Sequence, residues 1–184
     1  WSAGIGVLRR EREGLMFARN ILLGFLPSAV IGFALYENFE AMLGNPGIVP
    51  WALIVGGVAI IVIERAAKPR DEGRGVAELP LSKVLGVGFA QCLAMVPGVS
   101  RSGATIMGAL AMGINRKTAA EFSFFLAVPT MVGATTLEVA TKYDAMMAGS
   151  TRVGWDHIAL GFVVSFIVAL VVIRAFVAYV SHSG

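Results

Sequence analysis

Residues 84–115 of the chain read VLGVGFAQCLAMVPGVSRSGATIMGALAMGIN. Two uncharged apolar runs, 84–100 and 102–115, lie on either side of Arg101, and the break between them is rich in Gly, Pro and Ser. Each run reads as a short helix, so we expect a re-entrant helix pair over about 81–115. Such irregular backbone at membrane depth requires protein or a water-filled cavity to satisfy its polar groups.

The rest of the chain also has the composition of a membrane protein. Of its 184 residues, 57% are hydrophobic and 15% are charged, whereas soluble domains carry roughly a quarter charged residues. Four further uncharged runs approach the length needed to cross an apolar core of about 30 Å; they are 20–36, 48–63, 122–137 and 158–173. The sequence therefore predicts an all-α, polytopic helical membrane protein in which residues 1–184 form a single integral membrane domain.

The first of these runs carries small residues at every fourth position, Gly24, Ser28 and Gly32. A stripe of small residues lets a second helix approach closely. Pro27 lies in the same run and is expected to kink the helix. Residues 37–47 are expected to form a turn.

The distribution of Lys and Arg predicts the orientation of the chain. Four arginines precede Asn20, four basic residues occupy the loop 64–78, and the turn 37–47 has none. By the positive-inside rule the first segment and the loop are cytoplasmic and the turn is outside. The loop is expected to be solvated. Because these basic loops explain the net charge of +3, nucleic acid is not expected as a partner.

An arginine between two apolar helices marks a functional site, because insertion scales assign it a cost of about 2.5 to 3.5 kcal/mol at a helix centre. Hydroxyl groups and glycines surround Arg101; they belong to Gly98, Ser100, Ser102, Gly103 and Thr105. Guanidinium and hydroxyl groups donate to phosphate oxygens, and glycines let backbone N–H groups form an anion-binding nest. A helix expected to begin after Gly103 would direct its positive end to the same place. The pattern predicts a polyanion site.

Three other interpretations of this motif are possible. Pairing of Arg101 with the carboxylate of Glu121 stays open. A nucleotide-binding phosphate loop is disfavoured, because Ala104 stands where that loop has its lysine and no β-strand precedes it. Acid phosphatases related to vanadium haloperoxidases are disfavoured too, because Met107 stands where they have a nucleophilic histidine.

Residues 97–105, PGVSRSGAT, resemble the second signature motif of the undecaprenyl-diphosphatase family of the bacitracin-resistance type. Family-like sequence is also found at 23–27, 91–94 and 121–129, which read LGFLP, QCLA and EFSFFLAVP. The resemblance implies a bacterial inner-membrane hydrolase of inverted-repeat type. It would remove the terminal phosphate from undecaprenyl diphosphate and so recycle the lipid carrier for cell-wall synthesis.

The resemblance also implies roles for individual residues. Arg101 would bind the diphosphate. The hydroxyls of Ser100, Ser102 and Thr105 would position or protonate phosphate oxygens. The expected substrate-binding residues are Gly98, Gly103 and Gln91.

One part of the family pattern is missing from this chain. The first family motif, E-G-x-x-E-F-L-P-V-S-S-T-G-H, supplies a histidine and two glutamates linked to a divalent cation. Residues 91–103 align without gaps on the same repeat, but Gln91 and Met95 replace the two glutamates. The cation, Mg²⁺ or Ca²⁺, is therefore expected to be held by residues outside this chain. The chain is expected to be truncated at both ends, which puts catalysis by it alone in doubt.

Three classes of function stay open: a phosphatase, a transporter or flippase of lipid diphosphates, and a structural membrane subunit. Re-entrant pairs and inverted repeats also occur in transporters. For the phosphatase, metal-activated water is favoured over Ser100 as the attacking group, because no base accompanies this serine. The expected partners are the membrane, a polyprenyl diphosphate lipid and a second copy of the chain in a homodimer.

Overall fold

The computed structural model describes residues 12–67, 75–148 and 154–183. All regular elements in these ranges are helices, which confirms the all-α prediction. The α-helices are α1 (Arg12–Ala34), α2 (Tyr36–Leu43), α3 (Ile48–Ala66), α4 (Leu81–Cys92), α5 (Arg101–Ala111), α6 (Arg116–Met147) and α7 (Trp155–Ser183), with 3₁₀ turns at Val76–Glu78 and Leu93–Met95. The chain divides into two compact units, Trp1–Ala134 and Thr135–Gly184, and the division falls within α6.

Four of the helices have the length and apolar composition of membrane spans. They are Arg12–Ala34, Ile48–Ala66, Arg116–Asp144 and Trp155–Ala175. Each contains most or all of one predicted apolar run, so the multi-pass prediction is confirmed at the level of length and composition. In α3 no residue is buried by the rest of the protein, as expected for a helix that faces lipid.

Two predicted connections differ from the structure. Residues 37–47 are not one turn, because α2 occupies Tyr36–Leu43, a stretch without Gly or Pro, and only 44–47 turn. The loop 64–78 is not solvated throughout, because Val76 and Ala77 are buried and their 3₁₀ turn packs against α1, whereas Glu78 is exposed. Parts of the two predicted cytoplasmic stretches, residues 1–11 and 68–74, lie outside the described residues.

A buried asparagine explains why the end of that loop packs inward. Asn20 of α1 is fully buried, and its Nδ2 donates to the carbonyl oxygens of Val76 at 2.9 Å and of Leu79 at 3.2 Å. These bonds satisfy backbone groups that would otherwise be buried without a partner. They bring the start of α4 against α1.

The small residues of α1 allow α4 to approach it closely. A Cβ atom added at Gly88 of α4 would lie only 2.4 Å from the carbonyl oxygen of Gly24. One added at Gly32 would lie 3.1 Å from the Cε of Met95. The predicted stripe is therefore a real helix-packing surface, and α1 continues through Pro27 without ending. The surrounding apolar core consists of Ile21, Val76, Leu79, Val84, Val87, Ala109, Ile114, Ala119, Phe122 and Leu126.

The break between α4 and α5 begins earlier than predicted. The helix expected over 84–100 ends at Cys92 and is followed by a 3₁₀ turn to Met95. Val96 is extended, with φ −72° and ψ 124°, because the ring of Pro97 disfavours helical geometry in the residue before it. The two helices pack closely, since a Cβ on Gly108 would lie 2.5 Å from the Cβ of Ala90. Re-entry of this pair into the membrane stays a prediction.

The contact between α1 and α4 can be tested with Gly88→Ala. Alanine normally stabilises a helix interior relative to glycine, but here its methyl would force two backbones apart. We expect a loss of about 1–3 kcal/mol, typical of overpacking, and therefore a lower Tm for the purified protein in detergent. The matched control is Gly56→Ala in α3, where a Cβ would meet nothing within 4 Å, and its Tm should stay equal or rise. Equal responses of the two variants would contradict the close packing.

Candidate functional site

The start of α5 gathers several hydrogen-bond donors. Ser100 is the N-cap, and its Oγ accepts from the N–H of Gly103 at 3.2 Å. The N–H of Ala104 donates to the carbonyl of Ser100 and begins the helical bonds. Of the three N–H groups before it, Gly103 is bonded to the cap, and those of Arg101 and Ser102 have no acceptor within the helix. The Oγ atoms of Ser100 and Ser102 lie 3.3 Å apart, and both residues are exposed. This is the positive end of the helix dipole, where anions are favoured.

Arg101 adds a half-buried cationic side chain to this helix start. Its Nη1 atom is buried and has no hydrogen-bond partner among the described residues. The alternative pairing with Glu121 therefore does not occupy this atom. Leaving a buried donor without an acceptor costs about 1–3 kcal/mol, and more for a charged group. An anion placed here would remove that cost.

The two glycines of the motif have different surroundings from those expected. Gly98 has a φ of 96°, and a Cβ there would lie 2.8 Å from the carbonyl oxygen of Val49. It thus shapes the break and packs it against the start of α3. Gly103 lies inside α5, which begins at Arg101 rather than after Gly103, and its N–H is bonded to Ser100. The N–H groups left for an anion are those of the first two helical residues.

Thr105 is fully buried, and its hydroxyl has partners within the protein. Oγ1 lies 3.0 Å from the carbonyl oxygen of Arg101 and 2.7 Å from the Oγ of Ser123 in α6. The structure therefore shows this residue joining α5 to α6. A direct contact between Thr105 and phosphate stays a prediction.

Gln91 lies near the end of α4. It is 2% exposed, and its Nε2 donates to the Oγ of Ser28 at 2.6 Å and to the Oγ1 of Thr130 at 3.1 Å. In the described part of the chain it makes no hydrogen bond to the residues of 98–105. The structure thus brings Ser100, Arg101 and Ser102 together and places Gln91 in a separate polar cluster.

The sequence analysis missed the polar residues of α6 that complete these clusters. Ser123 and Thr130 are seven residues apart and so lie on one face of the helix, two turns from each other. Two hydroxyl residues seven positions apart inside the apolar run 122–137 could have predicted these buried polar contacts.

A cavity of about 820 Å³ adjoins the start of α5. Its walls are mostly apolar side chains, such as Trp51 and Ile60 of α3 and Leu93 and Met107 of the helix pair. From the predicted site, Ser100 and Gly103 line the cavity, whereas Arg101, Thr105 and Gln91 do not. The arrangement places an apolar space directly beside the N-cap of α5.

The expected divalent cation does not fit the side chains that are present. Within residues 12–67, 75–148 and 154–183, no group of three or more His, Cys, Asp and Glu side chains could hold a metal ion. The described residues thus contain no cluster of metal ligands, and the cation stays a prediction.

Fold and composition together define a multi-pass helical membrane protein, in which the predicted anion site lies at the start of α5. The family model described as Bacitracin resistance protein BacA matches residues 2–184, and the chain belongs to this family. It is 61% identical to an undecaprenyl-diphosphatase of Novosphingobium aromaticivorans, covering 100% of this chain and 68% of the relative. An undecaprenyl-diphosphatase of Sphingopyxis alaskensis is 50% identical, with 100% and 67% covered. The resemblance stated from the motif is confirmed.

The cap and the anion site can be separated by two substitutions of Ser100. Ser100→Ala removes the cap and should cost about 1 kcal/mol, seen as a lower Tm. Ser100→Asp keeps a capping oxygen and should retain the Tm. Its negative charge should nevertheless weaken binding of a phosphate-bearing lipid, measured by displacement of a fluorescent analogue. If the Asp variant bound the lipid as tightly as the unsubstituted protein, the anion would not lie at this helix start.

Proposed function

We propose that this protein hydrolyses undecaprenyl diphosphate to undecaprenyl phosphate and phosphate, and that the terminal phosphate binds at the start of α5. The family and the names of its relatives support the reaction. The observation that carries the binding site is the buried, unpartnered Nη1 of Arg101 beside a capped helix start.

The donors of this site suit a phosphoryl group during transfer. The Nη1 of Arg101 would form a charge-assisted hydrogen bond to one phosphate oxygen, and the N–H groups of Arg101 and Ser102 would serve others. Hydroxyls of Ser100 and Ser102 are placed to add further bonds. Together these groups would stabilise charge on the non-bridging oxygens.

Hydrolysis requires an attacking oxygen and a leaving oxygen. A water oxygen would bond to the terminal phosphorus while the bond to the bridging oxygen breaks. The bridging oxygen would leave with undecaprenyl phosphate, and the water would release a proton. Ser100 is less suited to attack, because its Oγ accepts from the Gly103 N–H and the described residues place no carboxylate, imidazole or amine in hydrogen-bond contact with it.

The apolar cavity beside Ser100 suits the prenyl chain of the same substrate. A volume of about 820 Å³ lies within the range of about 300–1,000 Å³ usual for small-molecule pockets, so it would accept a part of a long chain. The diphosphate would then lie at the helix start and the first prenyl units between α3 and the helix pair.

Further parts of this proposal come from the family resemblance. A divalent cation, Mg²⁺ or Ca²⁺, would be held by carboxylates from outside the described residues and would supply positive charge to the diphosphate. The proposed location is the bacterial inner membrane, where the product serves cell-wall synthesis and the activity confers bacitracin resistance. The homodimer and the lack of nucleic-acid binding stay predictions.

Replacement of Arg101 tests the site most simply. In the full-length protein, Arg101→Ala should lower kcat/KM for phosphate release from undecaprenyl diphosphate in detergent by at least roughly 100-fold, the usual effect of losing one transition-state donor. Arg101→Lys should retain part of the activity, since lysine keeps the positive charge but lacks the paired, planar N–H donors of the guanidinium group. The matched control is Arg116→Ala, which removes an exposed arginine paired with Glu64 at 2.7 Å and should change activity little.

Two outcomes would overturn the proposal in different ways. Full activity of Arg101→Ala would move the phosphate site elsewhere. Lipid binding by the unsubstituted full-length protein without any phosphate release would instead favour the transporter or flippase.

A further inference from the structure

Ser123 of α6 is a buried hydroxyl residue whose hydrogen-bond partner lies on another helix. It is 2% exposed and lies inside the apolar run 122–137. Its Oγ is 2.7 Å from Oγ1 of Thr105 in α5, and it makes no other hydrogen bond among the described residues. This distance allows a hydrogen bond whichever of the two hydroxyls donates.

Two other hydroxyl residues of α6 bond to their own helix. Oγ1 of Thr130 lies 2.6 Å from the carbonyl oxygen of Leu126, and Oγ1 of Thr141 lies 2.9 Å from that of Leu137. A serine in a helix can make the same bond to the carbonyl four residues before it, which needs no second helix. Because Ser123 bonds to α5 instead, its hydroxyl joins the two helices.

Thr105, the partner of Ser123, is bonded to the first turn of α5. Its Oγ1 lies 3.0 Å from the carbonyl oxygen of Arg101 and 3.2 Å from that of Ser102. These two residues carry the N–H groups that have no acceptor within the helix. Ser123 is therefore connected through one side chain to the donors of the proposed phosphate site.

Arg101 and Thr105 lie on one face of α5, since they are four residues apart. A different set of α5 residues lines the apolar cavity; it consists of Gly103, Ala104, Met107 and Gly108. The face that carries Arg101 and Thr105 is therefore not the face toward the cavity, and Ser123 contacts it. The side chain with the unpartnered Nη1 thus begins on the face of α5 that α6 holds.

We propose that Ser123 is a positioning residue for the reaction. Its hydrogen bond to Thr105 fixes the first turn of α5 against α6, and so holds the donors of Arg101 and Ser102 where the phosphate binds. This inference rests on the proposed function, and it requires no contact between Ser123 and the substrate. Such positioning matters, because a misplacement of about 1 Å can lower a rate by roughly 100-fold.

The substitution Ser123→Ala removes the hydroxyl with little change in volume. In the full-length protein we expect kcat/KM for phosphate release from undecaprenyl diphosphate to fall by about five- to tenfold, the effect of losing one hydrogen bond. The Kd of inorganic phosphate should rise by a similar factor. It is measured by displacement of a fluorescent, non-hydrolysable lipid diphosphonate, well below the Tm of every variant, so that unfolding does not contribute.

The displacement measurement does not depend on hydrolysis. If the unsubstituted protein bound phosphate but released none from the lipid, the proposed function would fail. The effect of Ser123→Ala on the Kd of phosphate would still decide whether this residue positions the site.

The matched control is Thr118→Val at the start of the same helix. Thr118 is 4% exposed, and its Oγ1 accepts from Nδ2 of Asn115, which follows the end of α5, at 3.0 Å. This variant also loses a buried hydroxyl of α6, so its Tm should fall. Because Thr118 is not bonded to the first turn of α5 by a printed-distance contact of this kind, kcat/KM and the Kd of phosphate should stay unchanged.

A double variant tests whether Ser123 acts through Thr105. Thr105→Val keeps the shape of the side chain and removes its hydroxyl, so adding Ser123→Ala should cause no further loss of phosphate affinity or kcat/KM. Additive losses would overturn the proposal. So would a folded Ser123→Ala variant with a lower Tm but unchanged phosphate affinity and kcat/KM, or an equal loss of both in Thr118→Val.

Discussion

Helices α1, α4, α5 and α6 pack around buried polar side chains, and every buried polar atom needs a hydrogen-bond partner. In the described residues most of this need is met locally: Asn20 binds loop carbonyls, and Thr105 binds Ser123. Two side-chain atoms remain without a partner, the Nη1 of Arg101 and the Oε1 of Gln91. One is a charged donor and the other an acceptor. The Nη1 of Arg101 belongs to the first residue of α5, where the predicted anion site lies, whereas Gln91 belongs to a separate polar cluster.

Close backbone contacts fix the break between α4 and α5. Gly88 lies against Gly24, Gly108 lies against Ala90, and Gly98 lies against the backbone of Val49. Each contact leaves no room for a side chain, so the break between α4 and α5 has little freedom to move. A helix start fixed in this way can bind a developing charge without first reorganising, which is the physical basis of electrostatic catalysis.

The sequence predicts what depends on composition and neighbouring residues. Uncharged runs predict the four spans, and Arg101 between two such runs predicts the site. The small residues of α1 predict a packing surface, although its partner, Gly88, emerges only in the structure. The end of α4 at Cys92 was missed because an apolar run continues past it, and the effect of Pro97 on Val96 prevailed over that pattern.

The orientation of Gln91 lies beyond any local pattern. Its two partners, Ser28 and Thr130, are 63 and 39 residues away in the chain. Likewise, the capping bond from Gly103 to Ser100 withdraws an N–H that the motif alone assigns to the anion. In both cases the hydrogen bonds formed within the folded protein determine which polar atoms remain available to a ligand.

The most direct test of the account is an experimental structure of the full-length protein with a non-hydrolysable lipid diphosphonate. The account predicts that the terminal phosphonate lies at the start of α5, with one oxygen about 2.7–2.9 Å from Nη1 of Arg101. A phosphonate bound elsewhere, with Arg101 paired to Glu121, would contradict it.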